Sequence, residues 1–164
     1  MIHKYMSSRS IMKFMSFWPP YFFAGIRVKS VSEDFLKIRI EMKQRPYNTN
    51  YVGSHFGGSL YSMCDPWFMF ILMEHLGKDY IVWDKKASID FKTPGRGTVY
   101  AEFELSTDQI DHAKKMADEN HKFEPEYELK IYDQNREVVA HVRKTLYVRK
   151  KKRVKELGPE SNIK

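Results

Sequence analysis

The sequence predicts an α+β fold in which one curved antiparallel sheet wraps around a central apolar helix, with a further helix at the N-terminus. Six segments alternate apolar and polar residues, the pattern of strands with one buried face. Residues 67–73 form an uninterrupted apolar run, and a helix that is apolar on every side needs cover on every side. The strands follow one another with few helical crossovers, which favours antiparallel pairing.

The first predicted element is a helix that ends at the pair Pro19-Pro20. Four apolar residues before this pair have the spacing i, i+3, i+4 and i+7, which places them on one helical face. They are Ile11, Phe14, Met15 and Trp18. Proline lacks the backbone N–H that continues a helix, so the two prolines are predicted to end it.

Two strands, the central helix and four further strands come next. The strands are predicted at 25–32, 35–43, 80–91, 98–105, 126–133 and 137–148, and the central helix at 59–76. Between the fourth and fifth strands, Ser106 and Gln109 have the spacing of a capping box and open a short amphipathic helix. A chain of 164 residues leaves little room for a second domain, so residues 1–148 are predicted to form one.

Basic residues are concentrated at the C-terminus. The chain has a net charge of +7, whereas residues 1–148 contain 21 Lys and Arg against 19 Asp and Glu, or +2. The predicted tail, 149–164, begins with the basic run 149–153. Such a run is most often a solvated terminus, and binding of nucleic acid or an anionic membrane through it is the alternative. The balanced body predicts no nucleic-acid partner.

Cysteine content and the length of the apolar runs bear on location. A single cysteine, Cys64, can form neither an internal disulfide nor a zinc site of several thiolates, which favours the cytoplasm. The apolar run 67–73 is far shorter than the about 18 residues of a membrane-spanning helix. Polar residues and prolines split the N-terminal stretch 11–23, so no signal peptide is expected. The histidines lack metal-ligand spacing, and no metal is expected.

The stretch 50–67 carries the candidate chemistry. Asp65 is a lone carboxylate among apolar neighbours, where an unpaired charge costs several kcal/mol, so a functional role as a general base is one interpretation. The other is that Asp65 is a helix N-cap and Pro66 the first helical residue. Local sequence leaves both open. Because Pro66 interrupts a helix that has already begun near Gly58, a kink is predicted there.

A glycine pair, Gly57-Gly58, precedes the central helix. Adjacent glycines are most often a plain loop. At a helix N-terminus, however, their backbone N–H groups can bind a developing negative oxygen. The sequence motif that contains them decides which interpretation is the more useful.

That motif resembles the hotdog-fold thioesterase superfamily. Members carry an Asn, a Gly three residues later, an aromatic or His before a Gly pair, and an acidic residue seven positions after the second glycine. The matching residues are Asn50, Gly53, Phe56, Gly57, Gly58 and Asp65. The order of elements over residues 10–148 also resembles the hotdog layout. The Asp-Pro pair and residues 81–85 resemble an uncharacterised branch of the superfamily.

The resemblance implies an acyl-CoA (acyl-thioester) hydrolase. It implies that Asp65 is general base or nucleophile, that the Gly58 amide polarises the thioester carbonyl, and that Asn50 orients water or the carbonyl. Further substrate contacts are implied or suggested for four residues. These are His55, Phe56, Gly57 and Arg96. The alternative function is a hotdog domain that binds acyl-thioesters or a protein partner without hydrolysing them.

The resemblance also implies partners. Members of the superfamily pair into dimers with a continuous sheet, so a homodimer or tetramer is expected. CoA enters as part of the substrate and no separate cofactor is expected. Its phosphates need cations, for which Lys92, Arg96 and the basic tail are candidates.

Overall fold

The computed structural model describes Met12 and residues 14–151. The strands are β1 Ile26–Val31, β2 Lys37–Lys43, β3 Tyr80–Phe91, β4 Thr98–Glu104, β5 Glu126–Asp133 and β6 Val138–Lys150. The helices are α1 Pro19–Ala24, α2 Gly57–Ser62, α3 Trp67–Leu76 and α4 Thr107–Glu119. The strands form one antiparallel sheet in the order β1-β2-β4-β5-β6-β3. The predicted fold class is confirmed.

The predicted N-terminal helix ends before the two prolines, as expected, and a second short helix follows. Met12 and Phe14 are helical, and Met15–Phe17 form a 3-10 helix. The backbone leaves helical geometry at Trp18, with φ −63° and ψ 128°, directly before the two prolines. Pro19 then begins α1, because the N–H that proline lacks has no acceptor in the first turn of a helix. The predicted helix at 10–18 falls partly on residues 1–11 and 13, which lie outside the described residues.

The central helix is broken rather than kinked. Residues 63–66 separate α2 from α3, and the Asp65-Pro66 peptide is cis. On α3, Trp67 and Ile71 are fully buried against the sheet, but Met73 is 47% exposed. Burial on every side was therefore the wrong expectation for the single chain, because the sheet covers only one side of the helix.

The core lies between the sheet and α3, and β6 supplies an inward row. Its buried apolar members are Ala140, Val142, Leu146 and Val148. Lys144 has the same parity along the strand and is also buried. The strand continues two residues into the predicted tail, and residues 152–164 lie outside the described residues.

The loop between β2 and α2 is fixed by a buried asparagine. Asn48 donates through Nδ2 to the carbonyl oxygens of Ala24 (2.9 Å) and Lys43 (3.0 Å). Its Oδ1 accepts from the N–H of Arg45 at 2.7 Å. Asn48 thus joins the end of α1 and the end of β2 to the loop that carries the sequence motif.

Replacing Asn48→Ala is expected to lower the free energy of unfolding by about 2 to 3 kcal/mol. The substitution leaves two carbonyl groups and one N–H without their partner, and buried polar groups are costly when unpaired. Urea denaturation measures the change. Asn135→Ala, at an exposed turn position, is the control and should change stability by less than about 0.5 kcal/mol. Equal effects of the two variants would contradict the assigned role.

Candidate functional site

A buried ammonium group lies beneath the break in the central helix. Lys144 Nζ is 2.8 Å from Asp84 Oδ2 and 3.1 Å from Asp65 Oδ1. It also donates to the main-chain carbonyl of Cys64 at 3.5 Å. The side chain of Lys144 is 1% exposed. Its three N–H groups therefore face three acceptors, two from the adjacent residues Cys64 and Asp65 and one from Asp84.

Two strands and the helix break bring these groups together. Lys144 points inward from β6, and the neighbouring strand β3 carries Asp84 opposite Leu146. The register shifts between Asp84 and Lys86, which is a β-bulge. Asp65 reaches Lys144 from the side of the helices, because residues 63–66 are not part of either helix.

Three successive carbonyl groups in the break each accept a hydrogen bond from a side chain. Trp67 Nε1 donates to Met63 O at 2.9 Å, and Lys144 Nζ reaches the next carbonyl. The hydroxyl of Tyr21, on α1, donates to the carbonyl of Asp65. Breaking a helix frees such groups from their intrahelical donors, and the fold satisfies all three.

The cluster holds two carboxylates for one ammonium. Burial lowers the pKa of Lys144, but the hydrogen bonds and charges of Asp84 and Asp65 outweigh it and leave the pKa above its ordinary value. Burial raises the pKa of Asp84 above its ordinary value, and the second carboxylate adds to this. One oxygen of Asp84, Oδ1, is buried without a hydrogen-bond partner among the described residues.

Asp65 is the member of the cluster that solvent reaches. Its side chain is 47% exposed, against 19% for Asp84. The N-cap interpretation of Asp65 is wrong: the N-cap of α3 is Pro66, and no side chain caps this end. The carboxylate instead binds Lys144 and remains accessible.

Cys64 is adjacent but chemically quiet. The thiol is fully buried, and burial raises its pKa to about 12. A thiol that stays protonated at neutral pH is a poor nucleophile. At the break, the side chain of Asp65 is accessible to solvent, whereas that of Cys64 is not.

Asn50 organises its own loop. Its Nδ2 donates to Ser54 Oγ (3.0 Å) and to the carbonyl of His55 (3.3 Å). Its Oδ1 accepts from the N–H groups of Val52 (3.1 Å) and Ser54 (3.0 Å). The amide is thus engaged on both sides, which differs from the expectation that it orients water or substrate.

His55 is buried rather than presented to a substrate. Nε2–H donates to the carbonyl of Gly97 at 3.0 Å, which leaves Nδ1 as an unprotonated acceptor without a partner among the described residues. The ring is 2% exposed, and burial lowers its pKa below the ordinary 6.5. His55 ties the motif loop to the turn after β3.

The glycine pair begins α2, as the helix N-terminus interpretation requires. The carbonyl of Phe56 accepts from Ser59 N (3.0 Å) and Leu60 N (3.1 Å), so the amides of Gly57 and Gly58 are in the first turn. No side chain caps this end. A Cβ on Gly58 would come within 2.4 Å of the Phe56 ring, which itself is 56% exposed.

Arg96 is exposed on the turn between β3 and β4. Gly97, the next residue, is hydrogen-bonded to Gln44 as well as to His55, so this turn lies against the motif loop. A shallow depression of about 580 Å³ lies there, between Asn50, Gly97 and the residues 44–46 and 49. A larger groove of about 1170 Å³ lies between α1 and the β1 edge, and Asp65 does not line it.

Lys144 and Asp84 were missed by sequence reasoning. Asp65 and Lys144 are 79 positions apart, and no local pattern links them. A signal did exist: Lys144 interrupts the apolar inward row of a predicted strand, and lysine is rarely buried without a carboxylate partner. The described residues hold no group of three or more His, Cys, Asp and Glu able to bind a metal ion.

A family model matches residues 7–148, and its description is a domain of unknown function, DUF4442. The chain belongs to this family. No curated protein matches the DUF4442 chain. Among its described residues, no helix is long and apolar enough to cross a membrane.

Solved structures similar to the DUF4442 chain have the same fold. PA5026 from Pseudomonas aeruginosa, described as a probable thioesterase of unknown function, has a TM-score of 0.77 at 20% identity, covering 89% of this chain and 97% of its own. The Haemophilus influenzae thioesterase HI1161 gives 0.65 at 14%, over 90% and 94%. The Escherichia coli PaaI protein, from the phenylacetic acid degradation operon, gives 0.54 at 18%, over 88% and 97%. The predicted hotdog fold is confirmed.

Replacing His55→Gln should reduce the loss of stability at acid pH. The unfolded chain binds a proton at this histidine more readily than the folded chain, so the wild type loses stability as pH falls below about 6.5, by at most about 1.4 kcal/mol per pH unit. Glutamine keeps a donor for Gly97 but does not titrate. Urea denaturation between pH 7 and 5 measures the difference. His112→Gln, at an exposed position, is the control; parallel curves for wild type and His55→Gln would contradict the argument.

Proposed function

We propose that this DUF4442 protein hydrolyses acyl-thioesters such as acyl-CoA, with Asp65 as the reacting carboxylate. The observation that carries the proposal is the state of Asp65: it lies 3.1 Å from a buried ammonium and keeps a 47% exposed side chain. It does so at the break of the central helix, in a fold shared with proteins described as thioesterases.

Two routes are open to Asp65, and both consume one water. As a general base, it takes a proton from water while the oxygen adds to the thioester carbonyl carbon. As a nucleophile, it adds to that carbon itself and forms an anhydride, which water then cleaves. In either route the carbon–sulfur bond breaks, and the leaving thiolate takes up a proton.

The Gly58 amide is proposed to bind the carbonyl oxygen as it gains negative charge. Its support is the position of Gly57 and Gly58 in the uncapped first turn of α2. Phe56 lies over this turn and is the substrate contact proposed there. His55 is buried and is proposed to act only by holding the loop.

CoA is proposed as the carrier of the acyl group, and it is part of the substrate rather than a cofactor. Arg96 is exposed next to Gly97, which lines the depression beside Asn50, and Lys92 is exposed directly after β3. Both are proposed to supply cations for the phosphates. The cytoplasmic location expected from the single cysteine stays a prediction.

A homodimer is proposed as the working form. Within the described residues β3 is an edge strand, paired only with β6. It is 12 residues long, and it exposes Trp83 and Phe91. A long unpaired edge invites pairing with another strand, and a second copy of β3 would extend the sheet.

The alternative is a hotdog domain that binds acyl-thioesters without hydrolysing them. The observation that favours it is Asn50, whose amide is engaged within its own loop and offers no free group to a water. On this alternative Asp65 would contribute to binding only.

Asp65→Asn is expected to lower thioester hydrolysis by about 10²- to 10⁴-fold, the usual contribution of a general base. The assay is release of free thiol from acyl-CoAs of different chain length and aryl character, and from the matching N-acetylcysteamine thioesters. Slower turnover of the truncated thioesters would support contacts with the nucleotide end.

The matched control is Asp118→Asn, which alters another lysine-paired aspartate, at 3.0 Å from Lys150 Nζ. Circular dichroism must show that both variants are folded. A wild type that binds acyl-CoA but releases no thiol would support the binding alternative, and an Asp65→Asn variant at full activity would exclude Asp65 as the reacting group.

Sedimentation equilibrium is expected to give twice the chain mass of 19.6 kDa. Hydrogen exchange then locates the contact: amides of β3 that face away from β6 should be protected, and those on the free edge of β1 should exchange quickly. A monomer mass, or fast exchange along both edges, would contradict the proposed dimer.

A further inference from the structure

Lys144 is a buried charged residue in an otherwise apolar row of the core. Its side chain is 1% exposed and stands in a row of Ala140, Val142, Leu146 and Val148. An apolar residue of similar volume would complete that row. Buried ion pairs are often replaced by apolar residues at no cost to stability, so packing alone does not explain an ammonium here.

The contacts of Lys144 point to Asp65. One N–H bond reaches Asp65 Oδ1 at 3.1 Å, and another reaches the carbonyl of the preceding residue, Cys64, at 3.5 Å. The same ammonium thus binds both the carboxylate and the backbone that carries it. Tyr21 holds the carbonyl of Asp65 itself from the other side.

We propose that Lys144 is a positioning residue for Asp65, and that Asp84 holds Lys144 in place for this task. The inference rests on the proposed role of Asp65 in thioester hydrolysis. Lys144 fixes the direction of the Asp65 carboxylate through its hydrogen bond, while its own ammonium is buried. Asp84, at 2.8 Å, is its closest acceptor and anchors it on the β3 side.

Among the residues that the structure describes, the charged and titratable groups that face the ammonium come from the helix break, β3, α2 and α1. Asp65 and Cys64 face it from the helix break, and Asp84 faces it from β3. Tyr61 of α2 presents its ring at 5.9 Å from Nζ, and Tyr21 closes the α1 side at Asp65. Removing the ammonium therefore leaves two carboxylates, Asp65 and Asp84, without a cation.

The test compares Lys144→Met with Lys144→Arg in thiol-release assays that measure kcat and KM separately. Met fills the row without charge, and Arg restores a cation. Lys144→Met is expected to lower kcat by up to about 10²-fold with little change in KM, the size of effect that a misplaced reacting group produces. Lys144→Arg should recover part of the rate.

The matched control is Lys37→Met, on β2, which removes an exposed ion pair with Glu104 and should leave kinetics unchanged. A folded Lys144→Met with wild-type kcat, or a loss of kcat that Lys144→Arg does not recover, would overturn the proposal. If Lys144→Met does not fold, Asp84→Asn decides: a lower kcat at unchanged KM supports the proposal, and wild-type kinetics overturn it.

A second readout separates this inference from the proposed function. If the wild type hydrolyses no thioester, the function fails, but positioning can still be measured. With ¹³Cγ-labelled aspartate, the Asp65 resonance is assigned by its loss in Asp65→Asn. That resonance should move in Lys144→Met and stay in place in Lys37→Met. An Asp65 resonance that is the same in wild type and Lys144→Met would overturn the positioning role by itself.

Discussion

A charge that is taken out of water must be satisfied, and in this protein that requirement falls on Lys144. Its ammonium has three donors, and the structure supplies three acceptors from β3 and from the break in the central helix. Neither the sheet nor the helix could shift much without losing one of them. Lys144 therefore links β6 to the break and to β3, in addition to the strand pairing of β3 with β6 and the apolar packing of the core.

The break in the central helix likewise depends on hydrogen bonds to its backbone carbonyl groups. A helix that stops for residues 63–66 in the interior releases carbonyl groups that water cannot reach. Trp67, Lys144 and Tyr21 each supply one donor to them. These donors come from α3, β6 and α1, so elements distant in sequence converge on the four residues that include Asp65. These contacts fix the backbone that carries Asp65, while the Asp65 side chain itself stays 47% exposed.

The strands could be predicted because alternation is local and sheet burial follows it. All six lie within two residues of their predicted bounds, and the capping box of Ser106 and Gln109 forms as the spacing indicates. Asp65 could be singled out because an isolated carboxylate beside apolar residues is visible in sequence. Lys144 could not be linked to it, since their contact depends on how β6 is placed under the helix. The burial of His55 was also invisible, because a loop histidine shows no periodicity.

A thioester carbonyl is uncharged, yet the carboxylate proposed to react with it must carry a charge. Full burial would favour the neutral acid, whereas full exposure would leave the carboxylate mobile and heavily hydrated. The structure separates these demands between two residues. The side chain of Lys144 is buried, at 1% exposure, whereas the side chain of Asp65 is accessible to solvent, at 47% exposure. In the loop that carries the motif, the polar groups of Asn50 and Nε2 of His55 form hydrogen bonds that stabilise the loop itself. The proposed chemistry at this break therefore depends on two residues, Asp65 and Lys144, of which the sequence motif contains only Asp65.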